Sequence, residues 1–155
     1  EYEALKLLAH QASTEGTGAR SLLTAVERAL VKFEKRLPTV GVKHLTVSRR
    51  LIEEPLEVMR EVIFQHTLDK FADDFQSNSG VRLTFQPEVR QSLFASYTEE
   101  KELAERLHQS LKDYLYGVKL LGVSDLEITM EIINEPAGVL DLMIKSAYEN
   151  RAKKV

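Results

Sequence analysis

Residues 41–47 read Gly-Val-Lys-His-Leu-Thr-Val, and residues 51–55 read Leu-Ile-Glu-Glu-Pro. Related stretches recur 81 positions later, as Gly-Val-Ser-Asp-Leu-Glu-Ile over 122–128 and Ile-Ile-Asn-Glu-Pro over 132–136. In both copies a glycine marks a turn, and apolar and polar residues alternate after it. The proline suits the first position of a helix. The pattern therefore predicts a strand, a short helix and a longer helix in each half of the chain.

The residues around these two stretches favour helix. Apolar residues at spacings of three and four predict six longer helices. Their approximate ranges are 2–15, 18–37, 55–75, 87–97, 100–116 and 136 to the basic end at 151–154. Pro38 is expected to end the second of them, because proline disfavours helix at the residue before it. Short strands are predicted over 45–47, 81–85 and 126–129.

The repeat extends upstream, because the helix over 100–116 carries apolar residues at the same offset as the helix over 18–37. The matching residues are Leu22, Val26 and Leu30 in the first half, and Leu103, Leu107 and Leu111 in the second. We therefore predict an α+β, helix-dominated chain of two tandem modules, each with helices packed on a small sheet. The alternative is a single α+β domain with a coincidental echo of sequence.

The predicted modules cover residues 1–76 and 81–155, and a polar linker, Ser-Asn-Ser-Gly, covers 77–80. The second module opens with a strand over 81–85, whereas the equivalent strand of the first would precede Glu1. The chain also does not begin with methionine. We therefore expect it to be a fragment of a larger protein.

Composition narrows the class of protein. The chain has 155 residues, a net charge of −3 and no cysteine. A slightly acidic chain does not bind nucleic acid through bulk positive charge, and without cysteine there is no disulfide, zinc ribbon or thiol nucleophile. No apolar run approaches the roughly 20 residues of a membrane span. These counts favour a soluble cytoplasmic protein without nucleic-acid or membrane partners.

The second predicted helix begins with Gly16-Thr17-Gly18-Ala19-Arg20-Ser21-Leu22. With this motif, the segment from Ala4 to Pro55 resembles the small C-terminal lid subdomain of AAA+ unfoldases of the ClpX and HslU type. The resemblance implies two lid-like modules, of which the second is a degenerate copy. It also implies that Arg20 is the sensor 2 residue and that Gly18 and Ala19 belong to the same nucleotide-binding motif.

The resemblance implies a role in ATP-dependent protein unfolding or remodelling. Arg20 would contact the β- and γ-phosphates of ATP on a neighbouring large domain and couple hydrolysis to rotation of the lid. The alternative is that Arg20 is exposed to solvent or pairs with Glu15 or Glu27. The implied partners are the large domains of the same and the next subunit in a homo-hexamer, and a protease or substrate protein. The large domain would supply the phosphate-binding loop and the magnesium site. The fragment alone is expected to bind no cofactor and to be inactive.

The second module departs from this motif, because Gly18-Ala19-Arg20 corresponds to Glu99-Glu100-Lys101 at the 81-residue offset. Two glutamates repel phosphate, so we expect this module to serve packing or a partner. The alternative function is therefore a non-catalytic protein-interaction or oligomerisation module with a lid-like fold.

No other motif points to chemistry within this chain. The sequence has no phosphate-binding loop of the Gly-x-x-x-x-Gly-Lys-Ser/Thr type. The four histidines lie far apart and show no metal-ligand spacing. The carboxylate pairs and the basic pairs, among them Glu53-Glu54 and Arg49-Arg50, are interpreted as solvated helix faces. We predict no catalytic residue and no metal site.

Overall fold

The computed structural model of the chain describes residues 1–14, 16 and 19–152, and it is dominated by helices. The helices are α1 (Tyr2–Thr14), α2 (Ala19–Val40), α3 (Arg49–Glu53), α4 (Pro55–Ser79), α5 (Pro87–Ala95), α6 (Glu100–Leu120), α7 (Met130–Asn134) and α8 (Pro136–Ala152). The strands are β1 (Arg82–Phe85) and β2 (Asp125–Ile128). They pair in parallel, with Arg82 opposite Asp125 and Phe85 opposite Ile128. The predicted α+β, helix-dominated class is confirmed.

The chain divides into two compact units. Unit 1 is Glu1–His66 and unit 2 is Thr67–Val155, so the boundary falls within α4. Helix α4 continues through Ser79, and the segment predicted as a polar linker over 77–80 is therefore helical up to that residue. No glycine or proline in the sequence marks the boundary between the two units within α4. The polar residues at the end of α4 have the composition of a linker, but they are helical.

In unit 1, helices α1 and α2 pack through small side chains. The buried residues of α1 are Ala4, Leu8 and Ala12. The first half of α2 buries Ser21 and Ala25 instead of the predicted apolar stripe, and Leu22 is 41% exposed. Small residues allow two helices to approach closely, and Leu22 lies one position beyond the contact face. Leu22 and Leu103 correspond in the sequence repeat, but Leu103 is buried and Leu22 is not.

Helix α2 ends later than predicted. Pro38 lies inside the helix, which continues to Val40. A proline near the last turn removes only one intrahelical hydrogen bond, and the residues after it still have room to complete the turn. The chain leaves the helix at Gly41, whose φ of +91° favours glycine. The helix therefore ends three residues after the predicted range of 18–37, and the predicted stop at Pro38 was wrong.

The strand predicted over 45–47 is absent from the described structure, where residues 42–48 form neither helix nor strand. The strands predicted near 81–85 and 126–129 are present as β1 and β2. A strand is defined by its hydrogen-bonded partner, and β1 supplies that partner for β2. Within unit 1 no described strand lies beside residues 45–47.

Unit 2 has the larger apolar core. Its buried residues come from both strands and from helices α4 to α7 and include Leu68, Leu83, Phe85, Val89, Leu107, Leu111, Tyr114, Val118, Ile128 and Ile132. The ring of Phe71 lies 6.3 Å from that of Phe85 and 5.0 Å, edge-on, from that of His108. His108 therefore packs against an aromatic ring in this core.

Local geometry recurs at the offset of 81. Gly122 matches Gly41 with a φ of +75°. The Gly41 amide donates to the Pro38 carbonyl, and the Gly122 amide donates to the Lys119 carbonyl, at 3.2 and 3.1 Å. Helices α3 and α7 are both five residues long, and a proline begins both α4 and α8.

Candidate functional site

Arg20 is the second residue of α2, and its side chain is exposed to solvent. Upstream of it, Gly16 has a φ of +73°, a left-handed conformation that favours glycine. Thr17 and Gly18, which belong to the predicted motif, lie outside the described residues. Ala19 begins α2, and its side chain is likewise outside the described part. Of the three predicted nucleotide-binding residues, Arg20 alone has a described side chain.

The charges in the first turn of α2 are unusual. The turn contains no acidic residue, and the Arg20 guanidinium forms no ion pair with any residue of 1–14, 16 and 19–152. A helix N-terminus carries a partial positive charge and favours anions. A cation there is unfavourable without a neighbouring anion. Arg20 is therefore a side chain that an external anion would stabilise.

Helix α6 carries the opposite charges at the corresponding place. Its first turn contains Glu100 and Glu102, and Lys101, the counterpart of Arg20, lies 3.9 Å from the Glu105 carboxylate. These acids suit the helix dipole and would repel phosphate. The start of α2 therefore favours an anion, whereas the start of α6 repels one.

A groove of about 350 Å³ in unit 1 lies among α1, α2 and the residues near the start of α4. Its polar lining includes Gln11 and Thr14 of α1 and Arg28 and Lys32 of α2. Its apolar lining consists of Ala25, Ala29, Ile52 and Pro55. The groove therefore combines a polar, partly basic lining with an apolar floor.

Sequence reasoning missed the residues of this groove. Arg28 and Lys32 were not singled out, although a basic pair at i and i+4 flanking Ala29 was visible in the sequence. The groove also depends on the small side chains of α2, whose contact with α1 cannot be read from a leucine stripe. Arg20 does not line the groove.

The basic pair Arg49-Arg50 forms ion pairs with carboxylates. Arg49 bonds to Glu53 at 2.8 Å, and Arg50 bonds to Glu54 at 2.9 Å. Arg50 also makes two hydrogen bonds to the Glu61 carboxylate, at 2.8 and 2.7 Å. The two glutamates raise the pKa of Arg50 above its usual value, chiefly through the hydrogen bonds to Glu61 and then to Glu54. These charges stabilise the helices around them and leave Arg50 engaged with acids.

The described residues contain neither a cluster of metal ligands nor a membrane-spanning helix. Within 1–14, 16 and 19–152, no group of three or more histidine, aspartate or glutamate side chains is placed to hold a metal ion. No helix of this described part is long and apolar enough to cross a membrane.

Comparison with models of protein families, with curated proteins and with solved structures gave no match for this chain.

Proposed function

We propose that the chain is the lid region of an AAA+ ATP-dependent protein unfoldase or remodelling ATPase, and that Arg20 senses the nucleotide. The observation that carries the proposal is the exposed Arg20 in the first turn of α2, without a carboxylate partner among the described residues. Arginine keeps its charge at all physiological pH values, and its planar fork matches phosphate oxygens. An ATP phosphate held on a neighbouring large domain would supply the missing anion.

The length of α2 supports a mechanical role. Arg20 lies at one end of a helix of 22 residues, and the far half of that helix is anchored in unit 1 by the buried Phe33 and Leu37. A contact at Arg20 that is gained or lost with the γ-phosphate would move the unit as a body.

We also propose that the two units are tandem lid-like modules, of which the second is degenerate. Support comes from the hydrogen bonds that recur 81 positions apart. The Glu54 and Glu135 amides donate to the carbonyls of Arg50 and Glu131. The amides of Val58 and Val139 in turn donate to the carbonyls of Glu54 and Glu135. This recurrence of backbone hydrogen bonds supports the proposal of two related modules.

Upstream, the correspondence continues at an offset of 85, which allows for four additional residues between α1 and α2. Glu3 in the first turn of α1 matches Glu88 in α5. The buried residues Ala4, Leu8 and Ala12 match Val89, Leu93 and Tyr97, which are also buried. This shift falls in the segment that contains the Gly-Thr-Gly sequence, so the additional residues belong to the proposed sensor motif.

The proposed assembly is a cytoplasmic homo-hexamer in which large domains provide the phosphate-binding loop, the magnesium ligands and the ATP. The lid region by itself would hydrolyse nothing. Its partners would be the large domains of its own and the next subunit, with a substrate protein or a protease beyond them.

The test is an ATPase assay on a full-length protein that joins this chain to its large domain. We expect Arg20→Ala to fold normally and to lose hydrolysis by about ten-fold or more, as expected when a charged contact to the transition state is removed. The matched control is Lys101→Ala, which removes the corresponding cation of α6 and is expected to leave the rate unchanged. Equal rates for Arg20→Ala and the parent would reject the sensor role.

A second candidate is a non-catalytic interaction or oligomerisation module formed by unit 2. The observation in its favour is a set of large apolar side chains that remain 65–70% exposed, namely Tyr116, Leu120, Leu142 and Tyr148. Leu120 and Tyr148 border an apolar groove of about 260 Å³ between α6 and α8. Self-association of the chain that Leu120→Lys abolishes, together with unchanged ATPase activity of Arg20→Ala, would favour this candidate.

A further inference from the structure

Unit 1 contains a second groove, which is lined mainly by apolar side chains. The groove has a volume of about 220 Å³, and its walls come from the second half of α2 and from the extended residues 42–47. Its apolar lining consists of Leu30, Phe33, Leu37, Pro38, Val42, Leu45 and Val47. An extended peptide can bind in such a groove by forming backbone hydrogen bonds with the extended segment beside it.

Three of the wall residues, Leu30, Leu45 and Val47, are more exposed than their counterparts in unit 2. Leu30 is half-buried, whereas Leu111 is 0% exposed. Leu45 and Val47 are half-buried. Their counterparts Leu126 and Ile128 are 8% and 0% exposed. In unit 2, β1 pairs with β2 along its whole length. Val81, which directly precedes β1, and Leu83 and Phe85 within it are buried.

The backbone hydrogen bonds of the two units differ at the corresponding residues. In unit 2 the Ser124 carbonyl accepts a hydrogen bond from Arg82 N at the start of β1, at 2.9 Å. Its counterpart, the Lys43 carbonyl, accepts none from the described backbone. Among the backbone groups of residues 43–47, the Val47 carbonyl has a described partner, Glu1 N, at 2.9 Å.

This single bond fixes the place of Glu1. In unit 2 the Ile128 carbonyl, which corresponds to Val47, accepts from Gln86 N at 3.1 Å. Gln86 directly follows β1 and precedes α5, and Arg90 N then bonds to its carbonyl, as Leu5 N bonds to that of Glu1. Glu1 therefore occupies the position at which the chain of unit 2 passes from strand to helix.

We propose that the groove of unit 1 binds an extended segment joined directly to Glu1, which pairs in parallel with residues 44–47 and completes a two-stranded sheet. The register of β1 on β2 sets its sequence requirement. In a segment placed directly ahead of Glu1, the first, third and fifth positions counted back from Glu1 correspond to Phe85, Leu83 and Val81, so the groove favours apolar side chains at these three positions. The inference concerns the fold of unit 1 and does not depend on the nucleotide role of Arg20.

The experiment grafts a copy of residues 81–85, Val-Arg-Leu-Thr-Phe, onto Glu1 of the full chain. Amide hydrogen exchange of residues 44–47 is then measured by NMR. We expect exchange to slow by about ten-fold or more relative to the unextended chain, because paired strand amides open only with the surrounding structure. The matched control is the graft Ser-Arg-Ser-Thr-Ser, which keeps the length and removes the apolar residues, and it is expected to give no protection.

Three results would overturn the proposal. The first is equal exchange for the apolar and the serine graft while both proteins retain their helical circular dichroism. The second is strong protection of residues 44–47 in the unextended chain that rises with protein concentration, which would assign the groove to a second copy. The third is protection by the free Val-Arg-Leu-Thr-Phe peptide but not by the graft, which would assign the groove to a strand from another chain.

A Leu45→Lys variant of the grafted chain checks that the segment lies in this groove. This variant is expected to lose the protection.

Discussion

Ser48 and Thr129 cap their helices in the same way, 81 positions apart. The Ser48 hydroxyl accepts a hydrogen bond from Leu51 N at 3.1 Å, and the Thr129 hydroxyl accepts one from Ile132 N at 3.4 Å. Both caps have extended backbone, with φ of −99° and −102°. Each hydroxyl satisfies an amide that the first turn of a helix leaves without a partner. The two short helices therefore begin by the same device in both units.

Removal of either cap is expected to destabilise the protein. Ser48→Ala and Thr129→Ala should each lower the free energy of unfolding by about 1 kcal/mol, the usual value for the loss of a side-chain N-cap. Urea unfolding measures the difference. Ser48→Thr and Thr129→Ser keep the hydroxyl and should stay close to the parent.

A matched control is Thr24→Ala. The Thr24 hydroxyl is exposed and bonds to the Arg20 carbonyl within α2, where it caps nothing. Alanine favours helix more than threonine does, so this change should leave stability unchanged or slightly higher. A loss at Thr24 equal to that at Ser48 would contradict the capping argument.

Leu51 anchors the junction between α3 and the rest of unit 1. Its side chain is 0% exposed. Leu51→Ala should lower the free energy of unfolding by about 2–5 kcal/mol, because it removes buried methyl groups and leaves a cavity. The control is Leu56→Ala, five residues later and 66% exposed, which should change stability by less than about 0.5 kcal/mol. Similar losses at the two positions would show that Leu51 is not a core residue in solution.

The sequence predicted the helices well, because their apolar spacing and their proline starts are local signals. Pro55 and Pro136 begin α4 and α8 as expected. The strand over 45–47 was wrong for a non-local reason. Its apolar alternation matches that of β2, but a strand also needs a neighbour, and pairing with a neighbour cannot be read from the segment itself.

The candidate site was predictable only in part. Arg20 was named from its motif, and the structure adds that it lies exposed in the first turn of α2 without an ion pair to a described residue. The groove near Arg28 and Lys32 was not predicted, since it arises from close packing of α1 on α2. That packing depends on Ser21 and Ala25, whose small size carries no signal in an apolar stripe. Gly18 lies outside the described residues, so its role stays a prediction.

Gly122 ends α6 in a left-handed conformation, with a φ of +75°. A side chain there is strained even though an added Cβ would meet nothing within 4 Å. Gly122→Ala should therefore lower the free energy of unfolding by about 1–2 kcal/mol, the penalty for a left-handed residue with a Cβ. Gly122→Asn should lose less, since asparagine tolerates this conformation better. Urea unfolding of the two variants provides the comparison.

The corresponding change in unit 1 is expected to be more severe. Gly41 has a φ of +91°, and an added Cβ would lie 3.3 Å from Nε2 of His66. Gly41→Ala therefore combines backbone strain with crowding of a side chain. A Gly41→Ala variant as stable as the parent would contradict both the turn geometry and the contact with His66.

Tyr114 makes the stability of unit 2 sensitive to high pH. The residue is 2% exposed, and burial raises the pKa of its phenol above the usual 10.0. The folded state therefore holds this proton more tightly than the unfolded state does. The stabilisation is fully present below about pH 10 and is lost as the pH rises through the folded pKa. We expect the urea midpoint to be steady between pH 7 and 9 and to fall above pH 10.

Tyr114→Phe removes the ionisable group and should flatten this decline above pH 10. It also removes the hydrogen bond from the phenol to Sδ of Met143, which is 3.4 Å long, so its midpoint at pH 7 should be slightly lower. Tyr116→Phe is the matched control, because Tyr116 lies two residues away and is 65% exposed. Its midpoint should follow the parent at every pH. A decline above pH 10 that survives in Tyr114→Phe would assign the alkaline sensitivity to groups other than this buried phenol.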